Sequence, residues 1–371
     1  MRFRILLLLL SFLSSYSCKQ NPQVSENPTA QFYTSTDSVF SYQGRLEAKP
    51  SNNTVNLISA ASFVQFQAQG ENLAIQLKAV APQHAFAIVE VDGNPLDRYQ
   101  ISGDLATTIK LSLKGEDFHQ VKVIKATEAS TGDLYFLGAQ ANQIKALANT
   151  NDLKIEFIGN SITSGMGNDA SDFPCGEGEW YDQHNAYWAY GPRVARGLQA
   201  KYMLSSVSGM GMYRNWNDED QPVMPDVYRT LSLDGDTTQL RDFNQFQPDL
   251  ISICLGTNDL SDGDGKKERQ AFNAEKYEHN YSNFIKDLYK KYPSVKIALL
   301  TSPMIRKESE KGKMLLSSLK KIKAEFETHH ILALYEFEDV YQQGCSYHPS
   351  KEDHAKMAQQ LIPFYKELLN R

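Results

Sequence analysis

The stretch LKIEFIGNSITSG, residues 153–165, decides the fold of the larger part of this chain. Its first half is a continuous apolar run of strand length, which is typical of a strand buried on both faces of a parallel sheet. Further runs of this kind alternate with amphipathic helical patterns. In chain order these are the helix 187–200, the strands 203–209 and 249–256, the helix 277–293, the strand 295–303 and the helix 352–369. The alternation predicts an α/β domain of three layers with a parallel sheet over residues 149–371.

The segment 36–148 has a different pattern. Its apolar residues alternate with polar ones in short runs that glycines close, which is typical of antiparallel strands with one face in a core. The runs are SFVQFQAQG, LAIQLKAV, FAIVEVDG, TIKLSLKG and HQVKVIKATE. Many short strands at regular spacing predict an all-β, jelly-roll-like sandwich ahead of the α/β domain.

The first residues predict export. Arg2 and Arg4 precede an apolar run that is too short to span a bilayer, and serines then lead to Cys18. The segment 1–18 resembles a bacterial lipoprotein signal, which implies acylation of Cys18 and a membrane anchor in the periplasm, the outer membrane or the cell surface. Plain secretion with cleavage elsewhere is the alternative. Residues 19–35 are polar and predict a flexible spacer.

Composition excludes several classes of function. The chain has 371 residues, 41% hydrophobic and 22% charged, with a formal net charge of -6. These values fit an ordinary globular protein of two domains, and no basic patch predicts nucleic-acid binding. The histidines lack zinc-ligand spacing, and the acidic loop 259–268 lacks the alternating ligands of a calcium loop, so we expect no metal and no cofactor.

Three polar or small residues directly follow predicted strands. Ser161, Gly209 and Asn258 would therefore meet at the carboxyl edge of the parallel sheet, where ligands bind in such folds. Together they supply a hydroxyl nucleophile and the N–H donors of an oxyanion hole, to which the backbone N–H of Ser161 at the start of a helix would add. Alternatively Ser161 only caps that helix, Asn258 caps a loop, and Gly209 makes a turn, with Gly211 competing for its role.

His348 is the candidate base. It precedes Pro349 in the loop that enters the final helix, from which an imidazole can reach Ser161; a surface histidine is the alternative. The ordered blocks IGNSIT, SG, GTND and HP resemble the SGNH/GDSL hydrolase superfamily, which has a flavodoxin-like sheet. With the preceding sandwich and HQVKVIKATEASTGDLYFLG near its end, the chain is similar to carbohydrate esterase family 2, the acetyl xylan esterase-like enzymes.

This resemblance implies a serine esterase that removes O-acetyl groups from plant polysaccharides or acetylated sugars through an acyl-enzyme. It implies Ser161 as the nucleophile, His348 as the base, and Gly209 and Asn258 as oxyanion partners of the Ser161 amide. A lipase or thioesterase of the same superfamily is one alternative. A surface carbohydrate-binding protein with a decayed esterase site is the other.

The acid of a triad is missing from its usual places. Three residues before His348 the chain has Cys345, and two before it Ser346. We therefore expect a Ser–His dyad in which a backbone carbonyl, that of Ser346 or Tyr347, holds the imidazole. Some members of family 2 resemble this case. The carboxylates that most closely precede His348, Glu338 and Asp339, fit a solvated loop.

Two further hypotheses concern the surroundings of the site. Cys175 and Cys345 lie in loops near these motifs and are expected to form a disulfide, whereas Cys254 lies in an apolar run and fits a buried core thiol. The aromatic residues near the motifs either stack on a sugar ring or pack the protein; they are Tyr213, Trp216 and Tyr347.

Overall fold

The computed structural model describes residues 30–148, 152–219 and 221–370. The expected signal peptide 1–18, its Cys18 and the spacer up to residue 29 lie outside the described residues. Within the described part, no helix has the length and apolar character needed to cross a membrane.

The first domain is a sandwich of two antiparallel sheets with six strands each, as the sequence predicted. One sheet has the order β3-β4-β11-β6-β9 with β1 added on β11, and the other the order β12-β5-β10-β7-β8 with β2 added on β5. Alternate residues of the strands face a common core. The strands are β1 Gln31–Thr34, β2 Ser41–Gln43, β3 Leu46–Lys49, β4 Thr54–Leu57, β5 Phe63–Gln69, β6 Asn72–Lys78, β7 His84–Val91, β8 Asn94–Ser102, β9 Thr107–Ser112, β10 His119–Lys125, β11 Tyr135–Ala141 and β12 Gln143–Lys145.

Strand β1 corrects the predicted spacer. The spacer was expected to reach residue 35, but Gln31–Thr34 pairs with β11 in antiparallel register, so the sandwich begins at Gln31 instead of residue 36. The chain can approach closely here because Gly138 of β11 has no side chain; a Cβ at Gly138 would lie 2.2 Å from the Tyr33 carbonyl oxygen. A four-residue edge strand is too short to show the alternation on which the prediction depended.

The second domain contains one parallel sheet of five strands, in the order β14-β13-β15-β16-β17. The four apolar runs predicted as strands are strands of this sheet. The strands are β13 Lys154–Gly159, β14 Lys201–Ser206, β15 Leu250–Cys254, β16 Lys296–Leu300 and β17 Leu332–Tyr335. The helices are α1 Ser161–Ser164, α2 Tyr190–Leu198, α3 Met224–Tyr228, α4 Ala274–Lys291, α5 Glu310–Phe326 and α6 Lys351–Leu369.

Helices cover both faces of this sheet. Helices α2 and α6 pack on one face, and α4 and α5 pack on the other. Helix α5 was not among the predicted elements. Its signal in the sequence is an apolar face at helical spacing, formed by the buried Leu315, Leu319, Ile322 and Phe326.

The two domains share a buried junction. Phe63, Phe86 and Ile124 of the sandwich belong to the same apolar cluster as Tyr187 and Tyr202 of the α/β domain. The sandwich therefore lies directly against the edge strand β14 and the segment before α2, and Gly209 follows the carboxyl end of β14.

Candidate active site

Ser161 lies at the carboxyl end of β13, where the chain turns sharply into α1. The side-chain oxygen of Asn160 accepts a hydrogen bond from the Ile162 N–H at 3.2 Å and caps this turn. Ser161 is the first residue of helix α1, as expected, and this helix is a single turn. A helix this short offers little dipole, so its contribution is the N–H groups of a first turn, which have no partner within the helix.

The structure brings Ser161 and His348 together. Nε2 of His348 is 2.9 Å from Oγ of Ser161, and Nδ1 is 2.9 Å from the carbonyl oxygen of Ser346. Because a carbonyl oxygen only accepts, Nδ1 carries the proton and donates to Ser346. Nε2 of the neutral ring is then the acceptor for the Ser161 hydroxyl, which is the arrangement that a general base requires.

An unusual backbone presents the Ser346 carbonyl to the ring. Ser346 and Tyr347 both adopt left-handed conformations, with φ of 52° and 59°. The loop is held on both sides, since Cys345 N–H donates to the Gly167 carbonyl at 2.8 Å and Gly344 N–H to the His348 carbonyl at 2.7 Å. Strained conformations of this kind persist only where the surroundings hold them.

No carboxylate of the described residues hydrogen-bonds to the His348 ring. Its two partners there are Ser161 and Ser346. Glu338, one of the two carboxylates that most closely precede His348, instead pairs with Lys307 at the surface. Of the two carbonyls that the sequence left open, the structure places that of Ser346 on the imidazole.

Burial lowers the pKa of His348 below its ordinary value of 6.5, and the hydrogen bond to the Ser346 carbonyl opposes this shift. The cause is desolvation, which disfavours the charged imidazolium. The neutral form, which can accept a proton from Ser161, therefore predominates at neutral pH.

Gly209 and Asn258 lie on neighbouring loops at the same sheet edge. Gly209 follows β14 with φ of +80°, and the side-chain amide of Asn258 donates to the carbonyl of Met210 at 2.7 Å. An amide NH₂ has two hydrogens, so this bond leaves one of them for a substrate oxygen. Gly211 does not compete for the role, because it is buried and its N–H donates to Asn215 Oδ1 at 3.3 Å.

Two carboxylates that were not predicted hold the loop around Gly209. Buried Asp259 accepts hydrogen bonds from the N–H groups of Met212 at 2.9 Å and Tyr213 at 2.8 Å. Burial raises the pKa of Asp259 to about 6, and those N–H groups oppose the shift. Glu128 of the sandwich accepts from the N–H of Ser208 at 3.0 Å. Both carboxylates lie in blocks that carry the family resemblance, Asp259 in GTND and Glu128 in HQVKVIKATEASTGDLYFLG, but neither block shows which loop its carboxylate holds.

The candidate aromatic residues differ in their exposure. Tyr213 is only 8% exposed, and its hydroxyl accepts a hydrogen bond from the Asn273 N–H, so of its two expected roles the structure favours packing over stacking on a sugar. Trp216 at 41% and Tyr347 at 78% exposure have rings open to solvent. Trp180, which sequence reasoning missed, is 48% exposed.

A disulfide joins Cys175 to Cys345, with 5.2 Å between their Cα atoms, while Cys254 is a buried free thiol. The disulfide fastens the segment that carries Trp180 to the loop that carries His348. Among the described residues, no group of three or more His, Cys, Asp or Glu side chains could hold a metal ion.

Comparison with known proteins finds a matching family model for each of the two domains. Residues 155–361 match the model of the GDSL-like lipase/acylhydrolase family, which is more than half of the chain. The chain belongs to this family. Residues 42–150 match a second model, the carbohydrate esterase 2 N-terminal domain. The two matches follow the observed sequence of a sandwich and an α/β domain.

Known proteins are similar to most of this chain. A cellulase/esterase CelE from Acetivibrio thermocellus is 30% identical over 71% of this chain, although the chain spans only 31% of that protein. An acetylxylan esterase/glucomannan deacetylase from Cellvibrio japonicus is 28% identical over 85% of this chain and 87% of its own length. A family two carbohydrate esterase from Clostridium thermocellum, solved with cellohexaose, has a TM-score of 0.79 and 25% identity, covering 89% of this chain and 99% of that one.

Proposed function

We propose that this protein is a serine esterase that removes acetyl groups from an O-acetylated polysaccharide or sugar with a Ser–His dyad. The observation that carries the proposal is the chain of hydrogen bonds from the Ser161 hydroxyl to Nε2 of His348 and from Nδ1 to the Ser346 carbonyl, each 2.9 Å long. These two hydrogen bonds fix the tautomer of His348 without a carboxylate.

In the first half of the reaction, His348 Nε2 takes the proton of Ser161 as Oγ attacks the acetyl carbonyl carbon. The developing oxyanion is met by the N–H groups of Ser161 and Gly209 and by the free amide hydrogen of Asn258. The tetrahedral intermediate collapses when imidazolium returns the proton to the sugar oxygen, which leaves as the alcohol. Water then attacks acetyl-Ser161 with His348 again as base, and acetate departs.

Two observations support a carbohydrate ester as the substrate. The relative in Cellvibrio japonicus is named an acetylxylan esterase and glucomannan deacetylase, and the Clostridium thermocellum structure holds cellohexaose. The exposed rings of Trp216, Tyr347 and Trp180 are suited to contact with the apolar faces of sugar rings.

The test measures acetate released from acetylated xylan and acetylated glucomannan by the wild type and by Ser161→Ala. We expect release by the wild type and its loss in Ser161→Ala, by roughly 10³-fold or more, because the nucleophile is gone. Activity that survives in Ser161→Ala would refute the assigned nucleophile. Glu338→Gln is the matched test of the dyad: we expect unchanged turnover, and a thousandfold loss in a folded variant would mean that a carboxylate is required.

Two alternatives remain outcomes of the same series. A lipase or thioesterase would hydrolyse 4-nitrophenyl decanoate faster than 4-nitrophenyl acetate. A carbohydrate-binding protein with a decayed site would bind xylan or glucomannan and release no acetate from any ester. The intact hydrogen bond between Ser161 and His348 favours the esterase over decay.

We further propose that the protein is exported and anchored by acyl chains on Cys18, on the evidence of residues 1–18 alone. Metabolic labelling with a palmitate analogue should tag the wild type and leave Cys18→Ala untagged. Equal fractionation of both with membranes would contradict the anchor.

A further inference from the structure

Glu128 is a buried acid of the sandwich whose carboxylate is bonded to the α/β domain. It follows β10 in the segment ATEAS, residues 126–130, and is 0% exposed. The N–H of Ser208 lies 3.0 and 3.2 Å from its two oxygens, and the Ser208 hydroxyl donates to it at 2.6 Å. Ser130 Oγ–H also donates to the same carboxylate.

Ser208 is the residue directly before Gly209. Its N–H and its hydroxyl are both tied to one rigid carboxylate, which restrains its φ and its side-chain rotamer together. The next peptide plane carries the N–H of Gly209, the donor assigned to the oxyanion. Bonds to an ionised acceptor are shorter and stronger than neutral ones, so they are suited to hold a donor in place.

The other side of this loop is held from within the α/β domain. Asn258 donates to the Met210 carbonyl at 2.7 Å, and Asp259 accepts the N–H of Met212 at 2.9 Å. On the Ser208 side, Glu128 supplies the restraint from the sandwich. The loop that contains Gly209 is therefore fixed between the two domains.

We propose that Glu128 is a positioning residue, through which the sandwich orients the Gly209 N–H of the oxyanion hole. The inference rests on the proposed esterase function and deepens it, because it makes the sandwich part of the machinery that stabilises the transition state. A pre-aimed donor acts on the oxyanion more than on the bound ester, so its loss lowers kcat more than it changes KM.

Glu90 offers a matched control. It is also a glutamate of the sandwich, it is 5% exposed, and it is bonded across the junction to the Tyr187 hydroxyl at 2.9 Å. Its second partner is Lys122 within the sandwich. Glu90→Gln thus perturbs the junction without touching the loop that contains Gly209.

The experiment compares full-length wild type, Ser161→Ala, Glu128→Gln and Glu90→Gln on 4-nitrophenyl acetate. Glutamine preserves the volume of Glu128 but turns an NH₂ donor toward the donors of Ser208. We expect Glu128→Gln to lose roughly 10-fold to 100-fold in kcat with KM little changed, as for a donor displaced by a fraction of an ångström. Glu90→Gln should keep its kcat. Equal kcat values in the two variants would overturn the proposal. So would a rise in KM with kcat unchanged in Glu128→Gln.

Ser208→Ala provides a second variant that removes only the hydroxyl. We expect it to lower kcat in the same direction, and its effect to be non-additive with that of Glu128→Gln, because both break the same contact. If Glu128→Gln does not fold, an unchanged kcat in Ser208→Ala overturns the proposal on its own.

A second measurement separates this inference from the proposed function. Amide hydrogen exchange of the peptide that spans residues 206–212 should become faster in Glu128→Gln and stay unchanged in Glu90→Gln. Failure of the esterase function would show as an inactive wild type or an active Ser161→Ala. Unchanged exchange in Glu128→Gln would refute the positioning role whether or not the protein is an esterase.

Discussion

At the scale of residues, the proposed Ser–His dyad orients its imidazole with a backbone carbonyl in place of a carboxylate. A carbonyl acceptor fixes the tautomer of His348 but carries no full charge, so it stabilises the imidazolium less than an aspartate would. Burial acts in the same direction by lowering the pKa of His348. The base is therefore weaker but remains unprotonated over a wider range of pH.

This lowered pKa makes a prediction about pH. A base must be neutral, so kcat/KM falls as pH falls through the pKa of His348 in the free enzyme. Because burial places that pKa below 6.5, we expect the acid limb of the profile to have its midpoint below 6.5. The measurement is kcat/KM for 4-nitrophenyl acetate between pH 4 and 9.

His119→Gln is the control for this profile. His119 is a histidine of the sandwich whose hydrogen bond to Asp92 raises its pKa, and it lies outside the site. Its replacement should leave the acid limb unchanged. A midpoint at or above 6.5 in the wild type would contradict the assignment of the limb to the partly buried His348.

The proximity of Ser161 and His348 could be predicted because motif and strand order place them together. The choice between the carbonyls of Ser346 and Tyr347 could not be predicted, because it depends on the left-handed backbone of both residues. Serine and tyrosine do not indicate such a conformation. The role of Tyr213 stayed open for a similar reason. The sequence alone does not distinguish a buried aromatic residue beside a motif from one that is exposed to solvent.

At the scale of elements, the loop that carries His348 is held by a covalent bond to a distant segment. The Cys175–Cys345 disulfide closes a span of 170 residues, and Cys345 is three positions before His348. Long closed loops lose the most unfolded-state entropy, with a typical stabilisation of about 2–4 kcal/mol. The bond therefore contributes to the stability of the domain and to the position of the base.

We expect Cys175→Ser/Cys345→Ser to lose about 2–4 kcal/mol in the free energy of unfolding. We also expect kcat to fall by roughly tenfold or more, because the Ser346 carbonyl is then less well fixed. Urea unfolding and steady-state kinetics measure the two effects.

Treatment of the wild type with dithiothreitol should reproduce both effects and leave the double variant unchanged. Cys254→Ser, at the buried free thiol, should retain the response to dithiothreitol; a reduced wild type with unaltered kcat and urea midpoint would contradict this role.

Strands that form long apolar runs could be predicted from the sequence, whereas the short strand β1 could not. Four strands of the parallel sheet were evident because burial on both faces makes each an unbroken apolar run. Strand β1 has four residues and depends on the space left by Gly138 of β11, which is a property of the pairing. A sequence pattern shows which face of a strand or helix is buried, but it does not show which other element pairs with it or packs against it.

At the scale of the whole molecule, the junction between the domains is polar as well as apolar. Arg45 of the sandwich is 2% exposed. It donates to the carbonyls of Thr230 at 2.5 Å and Tyr228 at 2.8 Å and to Ser205 Oγ at 3.0 Å. Such contacts join residues far apart in sequence, which is why neither this junction nor the role of Glu128 could be predicted from the sequence.

A shared junction predicts that the domains unfold together. We expect one calorimetric transition for the wild type, with equal calorimetric and van't Hoff enthalpies. Arg45→Met leaves the carbonyls of Tyr228 and Thr230 buried without this donor, so the free energy of unfolding should fall by about 3 kcal/mol. Lys49→Met, which removes an exposed ion pair of the sandwich, should change it by less than about 0.5 kcal/mol. Two separate transitions in the wild type would show that the junction does not couple the domains, and the positioning of the Gly209 loop by the sandwich would then lack its rigid support.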